Sequence, residues 1–258
     1  MESKKLSCCV LGDSITQGIG SKRINYIEVL QEMYGESICY HNLAKTGTTI
    51  KYVNEILDEI VTIKPDIIVI MYGSVDAQIR ANLWKNKYKI CDFIPKRYHG
   101  GGMLEPRAVY SKKWYRYFPD RIDNINRCFI KKIVLATQGR IQWITDKDFS
   151  RIYSDTILSL REITQRIVLV STVYIDDRYF LNSSQEYEKF NTIIEKLASD
   201  NKFEFVDIYS EMRNTVNAEG WDSIYLKDHF HPNKKGYQLI AKKISNALSI
   251  IRQEDECD

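Results

Sequence analysis

The sequence predicts an α/β protein, a five-stranded parallel sheet between two layers of helices, with a mostly helical insertion after the third strand. Short apolar, β-branched runs alternate with stretches whose apolar residues recur at helical spacing, the pattern that builds parallel sheets covered on both faces. The run Asp66 to Tyr72 is nearly continuous apolar, as in a strand buried on both sides. Residues 77–147 then break the alternation with a basic, aromatic segment unlike either flank.

Taken in order, Leu6 to Leu11 reads as the first strand, stopped by Gly12, and Tyr26, Val29, Leu30 and Met33 follow on a helix. Ile38 to Leu43 is the second strand. Ile50, Val53, Ile56, Leu57 and Ile60 then mark one amphipathic helix before the third strand. After the insertion, a helix around Tyr153 to Thr164 leads into the strand Ile167 to Val173, and a helix from Gln185 to Ser199 into Phe203 to Ile208. The last helix runs from Lys234 to about Ile251, with Pro232 and Asn233 as start signals. Neither internal repeat nor low-complexity linker is visible, so residues 1–258 read as one domain carrying the insertion.

The 258 residues suffice for one large core, and their mix of aliphatic, aromatic and charged residues argues against disorder. Met1, Glu2, Ser3, Lys4 and Lys5 precede an apolar stretch too short for a signal peptide. No run approaches the roughly 20 apolar residues of a membrane span. Cys8, Cys9, Cys39, Cys91, Cys128 and Cys257 show no metal-ligand spacing, and four of them lie in or beside apolar segments, as small core residues do. These features lead us to expect a soluble cytoplasmic protein with reduced thiols.

Two loops carry chemistry. Gly12-Asp13-Ser14-Ile15-Thr16 falls where the first strand turns into a helix, which puts the Ser14 hydroxyl at the sheet's carboxyl edge beside free backbone N–H groups. Asp13 and Ser14 suit a plain helix cap equally well. Asp228-His229-Phe230-His231-Pro232 lies before the last helix and offers a base with a carboxylate to fix its tautomer. A surface Asp/His pair, or a metal site at His229 and His231, is the alternative, but further ligands at sensible spacing are missing.

Together these blocks resemble the SGNH (GDSL-type) hydrolase family. Its first block is similar to Gly12-Asp13-Ser14 and its last to Asp228-x-x-His231, followed here by Pro232 and Gly236-Tyr237. Asn42-Leu43-Ala44-Lys45-Thr46-Gly47 resembles the second block. The likeness covers residues 6–76 and 166–250. It implies a flavodoxin-like three-layer sandwich and a serine esterase without metal or organic cofactor. Ser14 is then the nucleophile, His231 the base and Asp228 its orienter, with the Ser14 and Gly47 N–H groups as oxyanion donors. The third block departs from the family pattern: Gly73-Ser74-Val75-Asp76 has valine where an asparagine would supply a third donor. Loss of such a donor costs about 10²–10³ in rate. Either a neighbour among Ser74, Gln78, Arg80 and Asn82 substitutes, with Arg80 the leading candidate, or the reaction needs less stabilisation, or catalysis is impaired.

From Arg80 to Lys147 sixteen Lys/Arg stand against five Asp/Glu, while the rest of the chain is net acidic. The same stretch holds Trp84, Tyr88, Arg97, Tyr98, Arg107, Tyr110, Trp114, Tyr115, Arg116 and Trp143. Aromatic faces and Arg forks suit an anionic saccharide, so the insertion is expected to be a lid or substrate-binding subdomain, with Arg80, Asp76 and Ser74 as substrate-binding residues. A helical excursion with its own small core is the plainer alternative. No nucleic-acid motif is visible. His41 reads as structural, and His99 beside Gly100-Gly101-Gly102 as part of a hinge or a simple loop. The expected activity is removal of an acyl group, O-acetyl first, from a small or carbohydrate ester, with an anionic surface-polysaccharide precursor as one candidate. An O-acyltransferase with the same triad and a non-catalytic carbohydrate-binding or scaffold protein are the two rivals.

Overall fold

A computed structural model describes residues 5–21, 24–85, 89–100 and 102–255. Of the residues singled out above, Met1, Glu2, Ser3, Lys4, Tyr88, Gly101 and Cys257 lie outside the described residues. Five parallel strands form the sheet: β1 (Leu6–Gly12), β2 (Ile38–Asn42), β3 (Ile67–Met71), β6 (Ile167–Val170) and β7 (Glu204–Val206), in the order β2-β1-β3-β6-β7. Two residue pairs, β4 (Arg80–Ala81) and β5 (Arg140–Ile141), make a separate antiparallel ladder. Central β1 and β3 are buried on both faces, which is why they read as unbroken apolar runs. Their register sets Gly12 opposite Met71, so the loops after β1 and β3 leave the same edge of the sheet side by side. The helix Lys234–Asp255 packs against Tyr26–Tyr34, and Asp146–Arg161 packs against Ser184–Asn201.

Three local differences from the sequence reading have physical causes. The amphipathic stretch after β2 is two short helices, Tyr52–Glu55 and Leu57–Ile63, because Ile56 leaves helical geometry and three-residue hydrogen bonds such as Ile56 N–H to Val53 C=O tighten the chain. The segment from Phe203 does not run on as a strand through Ile208: Asp207 caps a helix, Ile208–Glu219, by accepting from Ser210 N–H. That helix buries Ile208, Met212 and Val216 at fourfold spacing, a signal present in the sequence but masked by the preceding apolar run. The Asp228 loop therefore follows a helix rather than the last strand.

The β4–β5 ladder draws the two ends of the insertion together, and Gln142 Nε2–H adds a bond to Ala77 C=O. Between them runs one long helix, Trp114–Gln138, with short 3₁₀ turns at Ile90–Phe93 and Lys96–Tyr98. Ile94, Tyr98, Leu104 and Val134 form a small core apart from the main one. Buried Asp123 accepts from Tyr98 Oη, Arg107 Nε and Arg127 Nε at 2.7, 2.9 and 2.8 Å. Lys131, fully buried, meets Glu105 at 2.5 Å. Arg107, Arg127 and Lys131 are thus engaged inside the insertion. Among the described residues no helix is long and apolar enough to cross a membrane.

Candidate active site

The turn after β1 is built for close approach. A Cβ on Gly12 would fall 2.0 Å from Thr16 Oγ1, so only glycine fits there. Asp13 Oδ1 accepts from Ile15 N–H at 2.9 Å, capping the single turn Ser14–Gln17, and Gly18 ends it in the left-handed region. Ser14 thereby stands at the first helical position, where its own N–H points out of the helix.

The partner loop is folded by its own carboxylate. Asp228 Oδ1 accepts from the Phe230 and His231 N–H groups at 3.2 and 3.1 Å, and His229 takes the turn at φ 53°. Asp228 Oδ2 lies 2.6 Å from His231 Nδ1, and His231 Nε2 lies 2.9 Å from Ser14 Oγ. An ionised carboxylate only accepts, so Nδ1 carries the proton and Nε2 offers its lone pair to the serine hydroxyl. Asn233 caps the last helix, and its amide also holds the carbonyls of Asp222, Ser223 and Tyr225. Gly236 lets that helix press against the loop, since a Cβ there would meet Ile224 C=O at 2.2 Å. Buried Tyr237 donates from Oη to Ile15 C=O at 3.0 Å, tying the base-bearing end of the chain to the serine turn.

Thr46 N–H donates to Gln17 Oε1 and Lys45 N–H to Gly12 C=O, which pins the loop after β2 beside Ser14. Gly47, at φ 72°, takes a conformation that favours glycine and lines the cleft with Ser14 and His231. The cleft has a volume of about 230 Å³ and is also walled by Val75, Gln78, Arg80, Glu105, Trp143 and Phe230. A second cavity of about 240 Å³ adjoins it, sharing Arg80, Gly102, Glu105 and Trp143 and adding Trp84, His99 and Leu104. Among the described residues no three His, Cys, Asp or Glu side chains are grouped as a metal would need.

The other candidates separate clearly. Ser74 and Asp76 do not line the cleft: Ser74 is buried with its carbonyl on Tyr187 Oη, and Asp76 accepts from Ile50 and Gly73 N–H at 3.0 and 3.2 Å. Their work is to shape the loop after β3. Asn82 folds a local turn through Trp84 and Lys85 N–H. Arg80 is buried rather than solvated, stacks on Trp143 at 3.8 Å, and donates to Val75 C=O, Gln78 C=O and Gln78 Oε1 at 2.9, 3.2 and 2.7 Å. Its terminal nitrogens are therefore engaged within the protein. His229 bonds Asp176 at 2.7 Å, lies flat on Trp221 and meets Tyr179 edge-on, outside the cleft lining. His99 Nε2 lies 2.9 Å from Ile94 C=O. His41 sits half-buried in β2.

Two buried acids make stability depend on pH. Burial raises Asp13 to about 6, against the Ile15 N–H bond that favours its carboxylate. Burial likewise raises Asp76 to about 7, against the Ile50 N–H bond and with the Asp13 charge adding to the rise. Unfolded aspartate titrates near about 4, so at intermediate pH the folded chain holds protons that the unfolded chain has released. The stability this supplies is complete below about 4 and is lost as pH rises through the two folded values. Resistance to urea should fall between pH 5 and 8, and Asp13→Asn, which cannot ionise, should flatten part of that fall. Parallel curves for variant and wild type would show that Asp13 does not titrate in this range.

Residues 10–239 match the GDSL-like Lipase/Acylhydrolase family. No curated protein matches the chain. Among solved structures, an acetylxylan esterase from Geobacillus stearothermophilus superposes with a TM-score of 0.62 at 14% identity, covering 96% of each chain. An alpha/beta hydrolase enzyme from the metagenome of Lake Arreo, Spain, gives 0.61 at 14% identity over 95% of each chain. Likeness at this identity establishes the shared fold. The family match over most of the length establishes more: the chain belongs to the GDSL-like lipase/acylhydrolase family and is a hydrolase acting on ester bonds.

Proposed function

We propose that this protein is a serine esterase removing an acyl group, O-acetyl first, from a neutral carbohydrate ester. The chain Ser14–His231–Asp228, with contacts of 2.9 and 2.6 Å, carries the reading. Ser14 Oγ attacks the ester carbonyl carbon while His231 Nε2 takes its proton, and Asp228 steadies the imidazolium. The tetrahedral intermediate then expels the sugar hydroxyl, which recovers the proton from Nε2. Water, activated by His231, releases the acid from the acyl-serine. The same three residue types, replaced singly by alanine, define the catalytic mutants of the Geobacillus acetylxylan esterase, whose Asp and His are likewise three residues apart.

The Ser14 and Gly47 N–H groups serve as two oxyanion donors, and we assign the third to Gln78. Arg80 has only donors, so the Gln78 atom facing it must be Oε1. This fixes the amide with Nε2–H₂ turned away from the guanidinium, on a side chain that lines the cleft with Ser14 and Val75. Arg80 becomes a positioning residue in place of the direct donor suggested by sequence.

Residues 77–147 act in this reading as the substrate-binding subdomain, with Trp143 in the cleft and Trp84 in the adjoining cavity as stacking faces for sugar rings. A neutral saccharide suits these walls better than the anionic one expected from composition, because the lining guanidinium of Arg80 already has acceptors and Glu105 sets a carboxylate beside it. Acetate release from acetylated xylo-oligosaccharides, abolished by Ser14→Ala, is the test. Trp84→Ala, at an 87% exposed position, should raise KM for the oligosaccharide about tenfold, equivalent to about 1.4 kcal/mol, and leave hydrolysis of a small aryl ester unchanged. Equal losses on both substrates would remove the subsite. Transfer of acetate to an added sugar in preference to water would favour the acyltransferase.

A further inference from the structure

The long helix Trp114–Gln138 has an unpartnered apolar face. Trp114, Phe118, Ile122, Ile125, Phe129 and Ile133 recur every three or four residues, one stripe along the helix, and each is between 37% and 76% exposed. At about 150–250 Å² per aromatic side chain, the three aromatic residues of the stripe expose on the order of 400 Å², already the size of a monomer's largest patch. The opposite face is anchored: Asp123, Arg127, Lys131 and Val134 point into the insertion, and Lys131 holds the cleft residue Glu105.

Charge around the stripe has one sign. The exposed charged side chains from Ser111 to Gly139 are Lys112, Lys113, Arg116, Arg121 and Lys132. The acids of this stretch are withdrawn, Asp120 onto Ser111 N–H and Arg107, Asp123 onto its three donors. A second copy docking stripe to stripe would set cations against cations with no exposed carboxylate of this stretch to answer them. An aromatic and aliphatic face flanked by Lys and Arg is instead what a helix needs to lie in the headgroup region of an anionic bilayer. We propose that the outer face of Trp114–Gln138 binds anionic membrane surfaces and holds the esterase cleft, through the Lys131–Glu105 contact, beside the bilayer. Such binding is independent of Ser14 and of the ester it cleaves.

Flotation of the whole protein with vesicles tests this. It should bind vesicles of equal parts phosphatidylglycerol and phosphatidylcholine, and bind pure phosphatidylcholine at least tenfold more weakly. Phe118→Ser with Phe129→Ser, and separately Arg121→Glu with Lys132→Glu, should each lower binding to the anionic vesicles by tenfold or more. Since all four side chains are exposed, hydrolysis of a soluble aryl ester should stay at the wild-type level and report an intact fold. Absence of vesicle binding, equal binding to both vesicle types, or binding indifferent to both variants overturns the proposal. So does a wild-type dimer in light scattering that the Phe118→Ser, Phe129→Ser variant dissociates, which would make the stripe a self-interface.

Discussion

Ser14→Ala is expected to abolish all but a trace of ester hydrolysis, a loss of about 10⁴–10⁶ in kcat, and His231→Ala to match it. The two act as one unit: without the hydroxyl there is nothing to attack, and without Nε2 nothing takes its proton at 2.9 Å. The double variant should be no worse than either single one. Asp228→Asn separates two roles of one side chain. Its Oδ1 can still accept from Phe230 and His231 N–H, so the loop keeps its fold. The amide that replaces Oδ2 donates to Nδ1, however, forcing the proton onto Nε2 and leaving Ser14 without a base; about 10⁴ should be lost in kcat.

His229 is the control for this assignment. It bonds Asp176, whose carboxyl burial would raise but which His229 and Arg178 hold well below the usual range. His229→Ala should lower thermal stability, because Asp176 loses a partner and Trp221 its stacked ring, while kcat stays near wild type. An inactive His229→Ala beside an active His231→Ala would transfer the base to the other histidine.

What could be read from sequence follows from how local its cause is. The parallel sheet was legible because β1 and β3 are buried on both faces and their composition says so without tertiary information. The proximity of Ser14, His231 and Asp228 was legible because each turn that presents them is made by its own residues: Gly12 and Asp13 for the serine, Asp228 for the histidine. Ser74 and Asp76 looked like binding residues by position alone, and only the burial of that loop against Ile50 and Tyr187, distant in sequence, removes them from the cleft. The surroundings of Arg80 were hidden for the same reason. Its partners Val75, Gln78 and Trp143 come together only when the β4–β5 ladder closes the insertion. The helix Ile208–Glu219 was missed although its cap and spacing were present, since an apolar run ending at Ile208 reads equally as a longer strand.

Gln78→Leu is expected to lower kcat by about 10²–10³ with little change in KM, the mark of a donor that acts on the developing oxyanion. Leucine keeps the volume, so the loss reports the amide. In the wild type Val75→Asn should do little, because the position it would serve already has a donor, or should slow the reaction by crowding a buried site. In the Gln78→Leu background the same asparagine, restored to the family's usual place, should recover a large part of the rate. That sign reversal is the diagnostic coupling, read as a double-mutant cycle on kcat/KM. Arg80→Lys gives the indirect case: a lysine cannot reproduce the planar fork that holds both Gln78 C=O and Gln78 Oε1, so the amide is free to rotate and kcat should fall by about tenfold, less than for losing the donor itself. In Gln78→Leu the Arg80→Lys change should then cost nothing further, since there is no amide left to orient. If Gln78→Leu stays within threefold of wild type and Val75→Asn alone accelerates hydrolysis, the oxyanion site has simply lost a donor, and the assignment to Gln78 fails.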